Sequence, residues 1–123
     1  MIILYLVLGG ASGTISRYYM GMWVANATGS RVGGTFAVNI IGSFIIGLFL
    51  VLATERFSWP NGLTILVAVG FLGGFTTFST FSWQTLEQLE GGNFVPAAAN
   101  VVASVGCGLI AVWAGASAAR IGA

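Results

Sequence analysis

Four long apolar stretches dominate the sequence and limit what it can fold into. They cover residues 2–24, 32–54, 63–85 and 94–119. A helix needs about 20 mostly apolar residues to cross a bilayer, so each stretch is long enough to span one. Arg17 interrupts the first stretch, and the other three contain no charged residue. The sequence therefore predicts an all-α membrane protein with four transmembrane helices, in which residues 1–123 form a single domain.

The composition supports this prediction and excludes several kinds of function. Only 6% of the 123 residues are charged, against roughly 25% in an average soluble domain. The chain has no His and no Asp, so a Ser-His-Asp triad and a His-bound metal site cannot form. Its single cysteine, Cys107, cannot form an intrachain disulfide. A net charge of +1 provides no basic surface for nucleic acid. We expect neither catalysis nor a nucleic-acid partner.

The third stretch contains an unusual density of hydroxyl groups. Five of the seven residues from Thr76 to Ser82 are Ser or Thr, and two glycines precede them. Gly and Thr are poor helix formers, so we expect a break between Gly73 and Thr77, in the middle of the membrane. Exposed backbone at that depth is tolerated where it is buried in protein or lines a cavity. Carbonyls freed there suit a hard cation, and freed amides suit an anion.

Three phenylalanines recur at every third position in the same region. Phe75, Phe78 and Phe81 would align on one strip of a helix. Such a strip is most often a packing surface. Because an aromatic ring has a positive edge, the strip is also compatible with an anion path.

Small and polar residues recur along all four stretches, most of them four residues apart. The glycine pairs are Gly9 and Gly13, Gly42 and Gly47, and Gly70 and Gly74. The polar pairs are Ser12 and Ser16, Asn39 and Ser43, and Asn100 and Ser104. The glycines predict closely packed helices. Any one polar pair is explained by an interhelical hydrogen bond, and the three together favour a polar track.

The charges give almost no bias for the orientation in the membrane. Four spans place Arg56 and Arg120 on one side, and Arg31, with Arg17 if it reaches the surface, on the other. A chain with so little positive-inside bias can insert both ways up and form an antiparallel homodimer. Chance explains the same weak bias in a small protein, so the charges alone leave both possibilities open.

The run GGFTTFSTFS, residues 73–82, closely resembles the signature of the Fluc (CrcB) family of bacterial fluoride channels. The resemblance extends over essentially the whole chain. The other residues that match the family pattern are Gly9, Gly10, Gly13, Arg17 and Tyr18 in the first stretch, and Gly34, Thr35, Asn39 and Gly42 in the second.

The resemblance implies an architecture and a function. Family members are antiparallel, dual-topology homodimers of the bacterial inner membrane, with two pores through which fluoride leaves the cell passively. A structural sodium ion at the dimer interface is held by main-chain carbonyls, which correspond here to Gly73 and Thr76. The residues that the resemblance assigns to the pore or its vestibule are Phe78, Phe81, Asn39, Ser79, Thr80, Ser104 and Arg17.

The sequence departs from the family pattern in two of its features. Members often have a Glu three residues after the second pore phenylalanine, and this chain has Gln84. The fourth helix of members tends to have a Tyr-Ser-Ser series, and the corresponding residues here are Asn100, Ser104 and Gly108. The resemblance therefore assigns to this chain neither an acidic residue at the mouth nor the family's polar series on the fourth helix.

Two other functions fit a small membrane protein of this kind. A proton-coupled exporter needs a carboxylate in the first helix, where this chain has only Arg17. A non-transporting assembly subunit would explain the glycines but not the hydroxyl-dense third stretch. All three glutamates, Glu55, Glu87 and Glu90, lie in predicted connections, which favours passive conduction over proton-driven transport.

Overall fold

The computed structural model describes residues 1–121, and every regular element in that part of the chain is helical. The elements are α1 (Ile2–Thr28), α2 (Arg31–Val51), π1 (Leu52–Arg56), α3 (Asn61–Thr64), π2 (Ile65–Leu72), α4 (Gly73–Phe75), α5 (Phe78–Glu90) and α6 (Phe94–Arg120). Three segments are long and apolar enough to cross a membrane: Arg31–Arg56, Asn61–Glu90 and Phe94–Arg120. The chain is thus an all-α, multi-pass membrane protein.

The first helix is long enough to cross a bilayer but is less apolar than the other three segments. α1 has 27 residues, which correspond to about 40 Å of helix. Arg17, Tyr18 and Tyr19 lie near its middle and lower its mean hydropathy. That α1 is a fourth span therefore remains a prediction.

Capping residues set the ends of several helices. Gly29 follows α1 with φ 74°, a left-handed conformation that suits glycine, and Gly92 has φ 79° between α5 and α6. The Ser30 Oγ accepts a hydrogen bond of 3.0 Å from the Gly33 N–H and caps α2. Because α5 continues to Glu90, Glu87 and Glu90 lie on its exposed last turns rather than in a loop.

The third segment is broken where the sequence predicts. Thr76 has φ −95° and ψ 157°, and Thr77 has φ −149° and ψ 114°, so both residues are extended between α4 and α5. The expectation that three phenylalanines share one strip is wrong because the break separates them. Phe75 is buried and stacks on Phe71 at 5.8 Å. Phe78 and Phe81 form a separate pair on α5, with ring centroids 5.5 Å apart.

Glycines bring the helix backbones into direct contact, as their spacing predicts. A methyl group at Gly47 of α2 would collide with the carbonyl oxygen of Val112 on α6, and one at Gly115 would collide with that of Phe44. Gly9 in α1 lies against Gly70 in the same way. Such contacts replace the hydrophobic driving force that is absent between helices in lipid.

We expect Gly47→Ala to lower the free energy of unfolding by about 1–3 kcal/mol, because the added methyl group forces α2 and α6 apart. Gly106→Ala on α6 is the matched control, since no described residue outside the adjacent backbone of α6 lies within 4 Å of a methyl group placed there. Unfolding by SDS titration in mixed micelles measures both changes. Equal stability of the two variants would contradict the proposed role of the close contact.

Candidate functional site

The side chain of Asn39 stabilises the break in the third segment. The Asn39 Nδ2 donates a hydrogen bond of 3.0 Å to the carbonyl oxygen of Thr77, and the Thr77 N–H donates one of 2.7 Å to the Asn39 Oδ1. The amide of Asn39 thus pairs with both main-chain groups of an extended residue, much as a neighbouring β-strand would. α2 supplies this amide from a half-buried position.

The pairing at Thr77 releases the carbonyl of Gly73. In a continuous α-helix the Thr77 N–H would donate to the carbonyl four residues earlier, which belongs to Gly73. Here it donates to Asn39 instead. The Gly73 carbonyl therefore loses its helical donor.

The Thr76 carbonyl loses its helical donor for a similar reason. The Thr80 N–H, four residues later, donates to the Thr77 Oγ1 at 3.2 Å, so that Thr77 is the N-cap of α5. The Thr77 Oγ1 also donates to the Thr80 Oγ1 at 3.1 Å and lies 3.4 Å from the Ser79 Oγ. Hydroxyl groups thus cluster at the start of α5.

Arg17 reaches the end of α4. Its Nε donates a hydrogen bond of 2.9 Å to the carbonyl oxygen of Gly74. A guanidinium is favourable at the C-terminal end of a helix, where carbonyls point outward without partners. Arg17 therefore stabilises the break itself, besides lining a cavity on the side of α5.

The break lies between two open cavities. One of about 280 Å³, the break cavity, is lined by Asn39, Gly42, Ser43, Gly73, Thr76 and Phe78, among others. The two carbonyls that lack a helical donor therefore belong to residues on its wall. The described residues contain no cluster of three or more His, Cys, Asp or Glu side chains. A cation here would take main-chain oxygens, which suit a hard ion.

The second cavity, of about 350 Å³, is lined by residues from α1, α2 and α5. Its polar lining residues are Arg17, Tyr18, Arg31, Thr35, Thr77, Thr80 and Gln84. It is referred to below as the arginine cavity. Among residues 1–121 no carboxylate lines it, so two guanidinium groups determine the sign of its charge.

The two phenylalanines of α5 differ in exposure. Phe78 is 77% exposed and lines the break cavity, whereas Phe81 is half-buried. A large aromatic side chain this exposed must face lipid or another protein chain.

A hydrogen-bonded chain connects α5 to α6. The Asn100 Nδ2 donates to the Thr85 Oγ1 at 3.0 Å, and the Ser104 Oγ donates to the Asn100 Oδ1 at 3.2 Å. Asn100 is buried, and so is Gln84, which directly precedes Thr85 in α5. The structure thus links Ser104 to α5 through Asn100, whereas the hydrogen bonds of Asn39 go to Thr77.

Sequence reasoning missed three residues that shape this site. Thr77 has both of its main-chain groups bound to Asn39 and also caps α5. Thr85 links α5 to Asn100. Gly74 accepts from Arg17. The hydroxyl density of the third segment pointed to the region, but none of these pairings has a local sequence signal, because the partners lie 15 to 57 residues apart.

Comparison with known proteins identifies the family. Residues 4–116 match the family model described as CrcB-like protein, Camphor Resistance (CrcB). The chain belongs to the CrcB family. The resemblance found in the third segment is thereby confirmed for almost the full length of the chain.

Several curated relatives align with nearly the whole chain. A protein of Solibacter usitatus is 43% identical over 118 residues, covering 95% of this chain and 97% of the relative. One of Geobacter sulfurreducens is 44% identical over 119 residues, covering 96% of each. One of Geotalea uraniireducens is 45% identical over 114 residues, covering 92% of each. All three are named fluoride-specific ion channel FluC.

We expect Asn39→Leu to destabilise the main chain at the break, because leucine has a similar volume but can pair with neither main-chain group of Thr77. Two part-buried main-chain groups would then lack partners, at a cost of about 2–4 kcal/mol in unfolding free energy. Hydrogen–deuterium exchange of the peptide covering residues 74–82 should become faster. Asn26→Leu, at an exposed position near the end of α1, is the control. Unchanged exchange in Asn39→Leu would contradict the role of the amide pair.

Proposed function

We propose that this chain forms a passive, fluoride-selective channel in the bacterial inner membrane. The observation that supports this most is the broken third segment, in which Asn39 binds the extended Thr77 and the hydroxyl groups and the Phe78–Phe81 pair follow at the start of α5. It occurs in a CrcB-family chain whose curated relatives are named as fluoride channels. The chain is accordingly a channel protein rather than an enzyme.

The residues proposed to handle the ion are those around the break. Fluoride is small and strongly hydrated, so a pore must replace its water with hydrogen-bond donors. The hydroxyls of Ser79 and Thr80 and the amide of Asn39 are such donors, and the ring edges of Phe78 and Phe81 add positive character. Ser104 would extend the path along α6, and Arg17 would lie at its vestibule.

A second copy of the chain is part of the proposal. Phe78 is 77% exposed, and the break cavity beside it is open. Two chains related by an antiparallel arrangement would cover both and would enclose two pores. This arrangement requires four spans per chain, including α1, and insertion in both orientations, which the balanced arginines permit.

A structural sodium ion would fit at the interface of this dimer. The carbonyls of Gly73 and Thr76 have lost their helical donors, and both residues line the break cavity. When bound, sodium supplies a fixed positive charge beside the fluoride path. No acidic side chain is needed, since main-chain oxygens are sufficient ligands.

Passive conduction is favoured over proton-coupled export by the position of the carboxylates. Glu55, Glu87 and Glu90 are all exposed at the ends of segments. An exporter needs a carboxylate inside the membrane that binds substrate and proton in turn. The first helix has only Arg17 in that region.

Ion efflux from liposomes tests the function. We expect the purified protein to release fluoride rapidly and chloride negligibly, as recorded by two ion-selective electrodes in parallel. Phe78→Ile and Phe81→Ile should each lower fluoride efflux by at least about 10²-fold while the dimer still assembles, because isoleucine fills space without a positive edge. Phe57→Ile, in the exposed connection after π1, is the control. Efflux near the unmodified rate in both pore variants would refute the aromatic mechanism.

Cysteine labelling tests the dual orientation. In a Cys107→Ala background, Asn26→Cys places one thiol near the end of α1. We expect an impermeant maleimide to label about half of the molecules from either side of the membrane, because the arginines give little preference for one orientation. Complete labelling from one side alone would rule out dual topology.

A further inference from the structure

Arg31 lies where the arginine cavity meets the protein surface. It lines that cavity together with Arg17, and it also lines a third cavity of about 360 Å³ that includes Ser30, Glu87 and Gln88. Its side chain is 78% exposed. Arg31 therefore belongs both to the surface and to the space that leads inward to Thr77 and Thr80.

The stability of α2 does not explain the charge of Arg31. The residue is the first of α2, where the helix dipole is positive and a cation is unfavourable. No acidic residue in the first turn offsets it. A local preference that is violated in this way points to a functional requirement.

The groups near Arg31 neutralise little of its positive charge. The Arg31 Nη2 lies 3.7 Å from the Glu87 Oε2, and both side chains are substantially exposed, so the ion pair is weak. Gln84 is 7% exposed between the two cavities and donates through Nε2 to the Arg31 carbonyl at 3.4 Å. Its buried Oε1 has no partner among the described residues. A glutamate at position 84 would oppose the arginines, whereas the amide does not.

We propose that Arg31 attracts the permeating anion into the arginine cavity, and that Glu87 limits this attraction as its counter-charge. The inference rests on the proposed function and adds a residue that sets the rate at which anions reach the break. Two arginines without a facing carboxylate raise the local anion concentration in a cavity with apolar walls. The effect acts through space and is therefore sensitive to salt.

Fluoride efflux at two ionic strengths tests the proposal, in liposomes of zwitterionic lipid. The Debye length falls from about 30 Å at 10 mM salt to about 4 Å at 0.5 M. We expect Arg31→Gln to lower efflux about threefold or more at 10 mM, and by less than about 1.5-fold at 0.5 M. Arg31→Lys should match the unmodified protein because it keeps the charge. Glu87→Gln should raise efflux at 10 mM, whereas Glu90→Gln, which lines none of the three cavities, should not.

The outcomes separate this inference from the function on which it rests. The Gln84 Nε2 donates to the main-chain carbonyl of Arg31, a group that every Arg31 variant keeps, so we expect the fold at this point to be retained. Equal loss of efflux at both ionic strengths, no loss at either, or failure of Arg31→Lys to restore efflux would overturn the role of Arg31 alone. No fluoride efflux from the unmodified protein would overturn the proposed function and this inference together.

Discussion

The pair of hydrogen bonds between Asn39 and the main chain of Thr77 is the interaction on which the rest of this structure depends. Inside a membrane every main-chain polar group must find a partner within the protein, at a cost of several kcal/mol if it does not. Two extended residues in the middle of a span would normally violate that requirement. One amide side chain satisfies both groups of Thr77, and the third segment can therefore be broken.

The break produces local charge of opposite sign on its two sides. On the side of α4 it leaves the carbonyls of Gly73 and Thr76, two residues that line the break cavity, without their helical donors, and their partial negative charge suits a cation. On the side of α5 it places hydroxyl groups and the arginine cavity, where positive charge suits an anion. Between these two regions, Arg17 donates a hydrogen bond to the Gly74 carbonyl. The local charge thus changes sign within a few residues, so that a cation and an anion are favoured at neighbouring places.

Close packing of the helices is what allows Asn39 to reach the break. Gly42, one turn further along α2, lies against Thr76 so tightly that a methyl group there would collide with the threonine Cγ2. Gly47 and Gly115 hold α2 against α6 in the same manner, and Gly9 holds α1 against the segment before the break. A larger residue at Gly42 would move the amide away from Thr77. The glycines and the polar site therefore act as one unit.

The sequence by itself determined the helical membrane class, the region of the break and the family, because apolar length, poor helix formers and a ten-residue run are local properties. Only the tertiary structure decided that Phe75 is separated from Phe78 and Phe81, that Arg17 binds Gly74, and that Asn39 pairs with Thr77. These contacts join residues up to 57 positions apart. They depend on how closely the helices approach and on the direction of each side chain, which no local pattern encodes.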